Sequence, residues 1–357
     1  MKTAERAAIL AGAAESFPLL GPVTTDQLLD LVRLELGHAE ILDGFRPYAG
    51  GFSRAVPNDP LLHVISSNTP HAGLQSIIRG LLLGAHNFVK LPSGGLREIE
   101  DFIELLPASL AGKVVTAIDL PDHWLAEART CTVFGSDATI AHFRQTLPAE
   151  MSFEAHPHRI SLGVVFEDIV DSASLAAEDI ARFNQKGCLS PHDIYVAGDA
   201  KSYAARLADA LAQFERQDPR GEISTLEAAE IADIRANYRF RSANDPRVAL
   251  WESQQSTAWT VIYEEDTWFA SSCLNRLAFV KPLPGDLAGA LGPALPWVAA
   301  IGIWPATPEN AERAARLQPS RICSLGQMQN PPLAWHQEGR QTLAPLVRWV
   351  DFEPNLR

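Results

Sequence analysis

Residues 61–91 read Leu61-Leu-His-Val-Ile65-Ser-Ser-Asn-Thr-Pro70-His-Ala-Gly-Leu-Gln75-Ser-Ile-Ile-Arg-Gly80-Leu-Leu-Leu-Gly-Ala85-His-Asn-Phe-Val-Lys90-Leu91, and this stretch decides the fold. The apolar run at 61–65 predicts a short strand, and 66–70 predicts a turn with a proline placed to begin a helix. The helix is expected to end near Gly84, and 87–91 predicts a second strand. A strand, a helix and a second strand in this order form a βαβ unit with parallel strands.

The same alternation continues on both sides of this stretch. The sequence predicts helices over 1–45, at 96–106, 124–128, 173–183 and 203–214, and another after the turn 135–137. It predicts strands at 113–118, 131–134, 159–166, 193–197 and 346–352, with further strands within 245–282. The chain is therefore predicted to be an α/β protein with mainly parallel sheets. Ligands of such sheets lie at the carboxyl ends of the strands.

Length and composition set the class of molecule. The chain has 357 residues, of which 46% are hydrophobic and 20% are charged, so two globular domains sharing a cleft are expected. The boundary is expected near residue 155, and 331–357 is expected to pack against another element or a second subunit. The net charge of -13 argues against nucleic acid and anionic membrane surfaces as partners.

The cysteines and the apolar runs indicate which metal sites, disulfides and membrane spans to expect. The four cysteines are widely spaced and form no CxxC pair, which favours neither a zinc site nor a disulfide framework. No metal is therefore predicted, and a reduced, cytoplasmic location is expected. The sequence has no run of about 18 apolar residues, so no membrane span is predicted.

Cys188 is the first candidate for chemistry. It lies in Gln185-Lys-Gly-Cys188-Leu-Ser-Pro191, between a predicted helix that reaches Gln185 and a predicted strand. A cysteine in a loop of this kind can present its thiolate to a ligand. The simpler interpretation is a small apolar side chain buried in a loop.

Further candidates follow the two strands that are predicted within residues 61–91. Asn68 lies in the first strand-to-helix turn, where its amide can donate to a developing oxyanion; alternatively it caps the next helix. Lys90 ends the second strand and precedes Pro92-Ser93-Gly-Gly95, so its ammonium can meet ribose or phosphate oxygens. The simpler interpretation of Lys90 is a solvated surface lysine.

Two more candidates lie further along the chain. Gly135-Ser136 opens a helix after a strand, where backbone N–H groups suit a phosphate, although the sequence has no GxGxxG motif and a plain turn is the simpler interpretation. Glu154 can act as a general base, and so can the nearby His156 and His158. Alternatively these three residues belong to a surface loop.

The order of these residues resembles the pattern of the aldehyde dehydrogenase superfamily. Cys188-Leu-Ser-Pro191, Phe134-Gly-Ser-Asp137 and the late segment Met328-Gln-Asn-Pro-Pro-Leu-Ala-Trp335-His-Gln-Glu-Gly339 are more closely similar to acyl-CoA reductases of the LuxC type. The chain departs from the superfamily pattern at two places. Ile140 and Ala141 stand near the position of its second glycine, and Ala155-His156-Pro157 replace the glycines after the glutamate.

The resemblance implies an aldehyde dehydrogenase-like α/β fold with a Rossmann-type cofactor domain at 1–154 and a catalytic domain at 155–330. It implies Cys188 as nucleophile, Asn68 as oxyanion donor and Glu154 as base. The residues implied to bind the nicotinamide cofactor, expected to be NADPH, are Lys90, Ser93, Gly135 and Ser136.

The same resemblance implies an activity and its alternatives. The expected reaction is reduction of a fatty acyl-CoA thioester to the aldehyde through a cysteine acyl-enzyme, in a homodimer or higher homo-oligomer. One alternative is an aldehyde dehydrogenase that oxidises aldehyde to acid, with Glu154 activating water. Another is a non-catalytic acyl- or cofactor-binding subunit of a reductase complex.

Overall fold

The protein is described by a computed structural model that covers residues 1–17, 20, 23–68, 70–167 and 172–354. The chain divides into two compact units. Unit 1 comprises Met1–His158 and Pro332–Arg357, and unit 2 comprises Arg159–Pro331. The assignment of cofactor binding to the first unit and catalysis to the second stays a prediction.

The elements follow one another along the chain in this order. Unit 1 contains α1 (Thr3–Glu15), α2 (Thr25–Leu36), β1 (Arg46–Tyr48), β2 (Gly51–Pro57), β3 (Leu61–Val64), α3 (Pro70–Leu83), β4 (Asn87–Lys90), α4 (Arg97–Glu104), α5 (Ala108–Ala111), β5 (Val114–Ala117), α6 (Asp122–Glu127), β6 (Thr130–Phe134), α7 (Asp137–Thr146) and β7 (Ser152–His156). Unit 2 contains β8 (Ile160–Val165), α8 (Ser172–Ala181), β9 (Pro191–Val196), α9 (Ala200–Gln217), α10 (Thr225–Asn244), β10 (Val248–Glu252), β11 (Thr260–Glu264), β12 (Leu277–Pro282), α11 (Leu287–Leu291), β13 (Val298–Trp304), α12 (Pro308–Ala315) and β14 (Arg321–Ser324). The last strand, β15 (Val347–Phe352), returns to unit 1.

A parallel sheet forms the centre of unit 1. Its described strands lie in the order β5-β4-β3-β6-β7, and every neighbouring pair is parallel. The helix α3 packs its apolar side chains, among them Leu74, Ile77 and Leu81, into the core of this unit. The chain builds outward from β3 to β4 and β5, then crosses back to β6 on the other side of β3. The direction of winding therefore reverses between β3 and β6, which is where open α/β sheets bind their ligands.

A buried histidine joins the first strand, helix and second strand of this sheet. His63 on β3 is fully buried, its Nδ1 lies 2.7 Å from Ser76 Oγ on α3, and its Nε2 lies 2.9 Å from Asn87 Oδ1 on β4. The Asn87 amide nitrogen donates to Ala85 O, so Asn87 Oδ1 accepts from the imidazole N–H and Nδ1 accepts from Ser76. Burial lowers the pKa of His63 from 6.5 to about 4, so the ring is neutral at physiological pH.

The free energy of unfolding is expected to fall on acidification because of His63. Between pH 6.5 and about pH 4 the unfolded chain binds a proton at this ring that the folded chain does not bind. Above pH 6.5 this ring does not lower the free energy of unfolding, and about 3 kcal/mol of that free energy is lost by the time the pH has fallen to 4. Urea unfolding of the wild type and of His63→Gln at pH 7 and pH 5 measures it: the variant should show a shallower pH dependence. An unchanged pH dependence would contradict this, and the exposed His123→Gln is the control.

A second, smaller sheet of unit 1 is antiparallel. Its described strands lie in the order β1-β2-β15, so the end of the chain pairs with a hairpin near its beginning. The predicted final strand is confirmed. The two N-terminal strands of this sheet were not predicted, because residues 1–45 had a helical pattern and 46–57 carried no clear period.

The sheet of unit 2 is mainly parallel. Its seven described strands lie in the order β10-β11-β12-β9-β8-β13-β14, and only β10 runs antiparallel to its neighbour. The strands β8 and β9, at the centre of this sheet, are buried along their whole length. This burial on both faces is what continuous apolar runs predict.

Two predicted elements are wrong. The predicted helix that reaches Gln185 ends at Ala181, and a 3-10 turn follows in which Phe183, Asn184 and Gln185 have φ of 54°, 53° and 61°. Hydrogen bonds to residues outside the turn hold this left-handed backbone. Asn275 N–H donates to Asn184 O, and Gln185 Nε2 donates to Pro191 O. The alternative interpretation of Glu154, His156 and His158 as parts of a surface loop is also wrong for Glu154 and His156, because β7 pairs there with β6.

Candidate functional site

Cys188 lies at the start of a tight turn at the amino end of β9. The Ser190 N–H donates to Gly187 O at 3.0 Å and closes the turn, so that β9 begins at Pro191. Cys188 is exposed while its neighbours Gly187 and Leu189 are buried. The turn therefore directs one polar, reactive side chain outward from a packed support.

Side chains from two neighbouring segments hold this turn. Ser161 Oγ on β8 donates to Cys188 O at 2.7 Å and accepts from Ala300 N–H at 3.2 Å. On the other side, the fully buried Gln185 donates to Pro191 O at 2.8 Å and accepts from Leu277 N–H at 2.9 Å. The position of Cys188 is thus fixed from the sheet, and Ser161 was not among the residues that the sequence indicated.

The four cysteines differ in their surroundings. Burial raises the pKa of the Cys131 thiol to about 12, and the pKa values of the partly buried Cys273 and Cys323 to about 11. These three thiols stay protonated at neutral pH, whereas the thiolate is the nucleophilic form. Cys188 is the exposed cysteine of the chain and the best placed to meet a substrate.

The candidate cofactor residues of unit 1 lie at the carboxyl edge of its parallel sheet. Lys90 is the last residue of β4 and is half-buried, and Ser93 is exposed in the turn that follows. Asn68 is exposed four residues after the end of β3. Because β3 and β4 are parallel neighbours, these loops leave the same edge of the sheet. Thr69, which follows Asn68, lies outside the described residues.

Gly135 and Ser136 form the turn after β6. The Ser136 side chain accepts a hydrogen bond from Thr139 N–H at 3.2 Å and so caps α7. A side chain at position 135 would meet Thr139 at 2.9 Å, so the close approach of strand and helix requires glycine there. Ser136 therefore has the structural role of a helix cap, and contact with a cofactor stays a prediction for both residues.

This edge carries donors of the kind that ribose and phosphate oxygens accept from, and their contact with a nicotinamide cofactor stays a prediction. The ammonium of Lys90 and the hydroxyl of Ser93 suit ribose and phosphate oxygens, and both follow β4, which lies beside β3 on the side away from β6. The acidic Asp137 lies in the first turn of α7 and opposes an anion at the start of that helix. Phosphate contacts are therefore expected near Lys90.

Glu154 lies on β7 opposite Thr132 of β6, and not in a loop. Its carboxylate faces Arg340 with an N–O distance of 3.7 Å, and the same arginine lies 3.2 Å from Glu338. His156, two residues further along the same face, contacts Glu338 at 2.9 Å and stacks on Phe134. His158 is exposed at the end of the unit. Glu154 and His156 thus belong to one polar cluster with the C-terminal segment.

The late segment 328–339 supplies Glu338 to this cluster and also contacts a buried arginine of α3. The guanidinium of the buried Arg79 donates to Gln337 Oε1 and to Leu333 O, at 3.1 and 3.2 Å, and burial lowers its pKa to about 10, so it stays charged. A cavity of about 20 Å³, enough for one water molecule, lies between this segment and the sheet. Its lining includes Ser76, Arg79, Thr132, Glu154, His156 and Arg340.

Within the described ranges, no three His, Cys, Asp or Glu side chains are grouped so that they could hold a metal ion. Among the described helices, none combines the length and the apolar character needed to cross a bilayer.

Solved structures with the same fold are aldehyde dehydrogenases. The NAD-dependent benzaldehyde dehydrogenase from Corynebacterium glutamicum superposes with a TM-score of 0.66 at 14% identity, covering 99% of this chain and 86% of that chain. The NADP-dependent glyceraldehyde-3-phosphate dehydrogenase from Bacillus halodurans C-125 gives a TM-score of 0.66 at 12% identity, covering 98% and 86%. The predicted aldehyde dehydrogenase-like fold is therefore confirmed.

Relatives by sequence are thioester reductases. The long-chain acyl-protein thioester reductase 2 of Photobacterium leiognathi is 22% identical over 343 residues, which cover 91% of this chain and 70% of the relative. The long-chain acyl-protein thioester reductase of Aliivibrio fischeri is 22% identical over 348 residues, with the same coverage of 91% and 70%. The prediction that the chain is an enzyme of this reductase class is confirmed. The model of the family described as acyl-CoA reductase (LuxC) matches residues 19–349, and the chain therefore belongs to the acyl-CoA reductase (LuxC) family.

Proposed function

We propose that this enzyme reduces a fatty acyl thioester to the aldehyde, with NADPH as reductant, through an acyl group carried on Cys188. The observation that carries the proposal is the exposed Cys188 in a turn that the side chains of Ser161 and Gln185 hold in place. The other three cysteines are buried or half-buried with raised pKa values, which supports the choice of nucleophile.

The acylation half of the reaction needs only groups of this chain and the substrate. The Cys188 thiolate attacks the thioester carbonyl, a new S–C bond forms, and the bond from carbonyl carbon to the departing sulfur breaks. Following the resemblance, we assign the Asn68 amide and the Cys188 backbone N–H to the oxyanion, where one such donor is worth about 3 kcal/mol. The departing thiolate is a good leaving group, so little general-acid help is required.

A bound nicotinamide would supply the hydride that takes the Cys188 thioester to the aldehyde level. We assign Lys90, Ser93, Gly135 and Ser136 to binding it. The choice of NADPH follows the resemblance to reductive relatives, and Lys90 is compatible with it. Glu154 is assigned only a supporting part, because its ion pair with Arg340 and the water-sized cavity beside it limit its freedom as a base.

The identity of the acyl donor is a separate part of the proposal. We keep coenzyme A as the donor, while the relatives from Photobacterium and Aliivibrio are named acyl-protein thioester reductases. A protein-bound thioester presents the same reacting carbonyl, so the chemistry at Cys188 is the same for both donors. The acyl chain length is not assigned.

One product analysis tests the proposed function. The enzyme is supplied in separate reactions with long-chain acyl-CoA plus NADPH, with acyl-CoA plus NADH, and with aldehyde plus NAD without coenzyme A. We expect aldehyde and free coenzyme A with NADPH in the first reaction. Formation of acid from aldehyde as the faster reaction would favour the oxidising alternative, and no reaction in any mixture would overturn the proposal.

We also propose that the enzyme is a homo-oligomer that is located in the cytoplasm. The outer edge of β15 pairs with no strand in the described part of the chain, and Trp349 and Phe352 on this strand are 45% and 52% exposed. An exposed apolar edge strand is a site for pairing with a second chain. The isolated cysteines support a reducing compartment. Both statements stay predictions.

A further inference from the structure

The loop after β14 is built around a buried carboxylate. Asp179 on α8 is 1% exposed, and its two carboxylate oxygens accept from Gly326 N–H at 2.6 Å and from Met328 N–H at 2.9 Å. Arg321 donates from the other side to Met328 O at 2.6 Å and to Gln327 O at 2.8 Å. The backbone of the loop is therefore fixed at several points, in a segment whose partners are far away in sequence.

Packing fixes the same loop. Gly326 has a φ of +82°, and a side chain there would meet Leu175 of α8 at 2.8 Å. The Met328 side chain is fully buried and lies against Gly302 of β13, where an added Cβ would come within 2.5 Å of its sulfur. The loop is thus a rigid platform beside the end of α8, and the residue that follows Met328 is held on it.

Gln329 reaches from this platform to the turn that carries Cys188. Its side chain is buried, and the amide nitrogen donates to Asp179 O at 3.0 Å and to Ser190 Oγ at 3.1 Å. The Asp179 carbonyl belongs to the last turn of α8, whose carbonyls have no partner within the helix. Ser190 is the residue whose N–H closes the turn onto Gly187. One amide group therefore ties the end of α8 to the nucleophile turn.

We infer that Gln329 is a positioning residue that sets the orientation of Cys188 through Ser190. This inference rests on the proposed function of Cys188, and it connects the Met328-Gln-Asn-Pro-Pro segment to the Cys188-Leu-Ser-Pro segment through the hydrogen bond from Gln329 to Ser190. Gln329 acts by holding the Ser190 hydroxyl, whereas Ser161 holds the carbonyl oxygen of Cys188. Its loss leaves Ser190 and the Asp179 carbonyl without their shared donor in a buried place.

The test compares Gln329→Met with Gln327→Met. Methionine keeps the length of the side chain but removes both donated hydrogen bonds, and Gln327 is exposed in the same loop. The rate of Cys188 alkylation by iodoacetamide is measured between pH 6 and pH 10, with the modified residue identified by peptide mass spectrometry. We expect the pH profile to shift and the rate of acyl transfer from acyl-CoA to fall about tenfold in Gln329→Met only, with NADPH affinity unchanged.

A second variant separates positioning from general loss of packing. Ser190→Ala removes the other end of the hydrogen bond, and the double variant Gln329→Met with Ser190→Ala should be no worse than the more impaired single variant. Losses that multiply in the double variant, or a wild-type alkylation profile in Gln329→Met, would overturn the inference. The alkylation profile reports on the turn even if Cys188 forms no acyl-enzyme. A shifted profile without any acyl transfer by the wild type would therefore refute the proposed function and not this inference.

Discussion

The Cys188→Ser variant should lose acyl thioester reduction, with kcat lower by roughly a thousandfold or more. A serine hydroxyl at this position keeps the geometry of the turn, because the turn is held through backbone atoms, Ser161 and Gln185. It does not ionise near neutral pH, so the nucleophile is lost while the fold is retained. Aldehyde formation from acyl-CoA with NADPH measures the effect.

The control for this prediction is Cys323→Ser. Cys323 lies on β14 of the same unit, is half-buried, and has a pKa raised to about 11 by burial. This variant should retain reductase activity within about threefold of the wild type, since its thiol is not a nucleophile at neutral pH. Near wild-type turnover by Cys188→Ser would refute the assigned nucleophile, and a large loss in both variants would indicate damage to unit 2.

The Asn68→Ala variant should lower kcat by about a hundredfold while leaving NADPH affinity nearly unchanged. The predicted loss is that of one preorganised oxyanion donor, about 3 kcal/mol in the transition state. Asn68 is exposed, so its truncation opens no cavity in unit 1. Steady-state kinetics give kcat and KM for acyl-CoA, and calorimetric titration gives the NADPH dissociation constant.

Ser67→Ala provides the matched control for Asn68. Ser67 is the preceding residue, is also exposed, and should tolerate truncation without change in kcat. Equal losses in kcat and in NADPH affinity for Asn68→Ala would identify a structural role, such as capping α3, and would contradict the assigned oxyanion role. The two variants together distinguish loss of the oxyanion donor of Asn68 from a general disturbance of the turn.

Much of the fold follows from local patterns. The strand β4 begins and ends within a residue of its predicted bounds, and the predicted alternation of strands and helices from β3 to β6 is observed, with the short helix α5 in addition. Each of these elements carries its own period and its own breaker, such as Gly84, which has a φ of +87° after α3. The helix α10 was not predicted, because its long polar face and weak period gave no clear helical pattern between the predicted helix at 203–214 and the strands within 245–282.

The parts that the sequence did not predict depend on contacts between distant segments. The left-handed backbone at Phe183, Asn184 and Gln185 is held by hydrogen bonds to residues beyond 190. The local sequence has a helical pattern, so a continuous helix is predicted there instead. The strand β7 is defined by its pairing with β6. The segment around Glu154 and His156 has no strand pattern in the sequence, so this strand was not predicted.

The resemblance identifies Cys188 and Asn68 in the sequence, because reactive and polar residues in the order of a known family can be recognised without a structure. Gln329 and Glu338 were not assigned, although the motif that contains them was noticed. Their partners, Ser190 and His156, lie more than a hundred residues away. Positioning contacts of this kind become visible only when the chain is folded.

Acylation of Cys188 is measured directly by intact-protein and peptide mass spectrometry after incubation with long-chain acyl-CoA in the absence of a nicotinamide cofactor. The account predicts a mass increase of one acyl group on the peptide that contains Cys188, its absence in Cys188→Ser, and its release as aldehyde when NADPH is added. Acylation of another cysteine, or no acyl adduct with either acyl-CoA or a protein-bound thioester as donor, would contradict it.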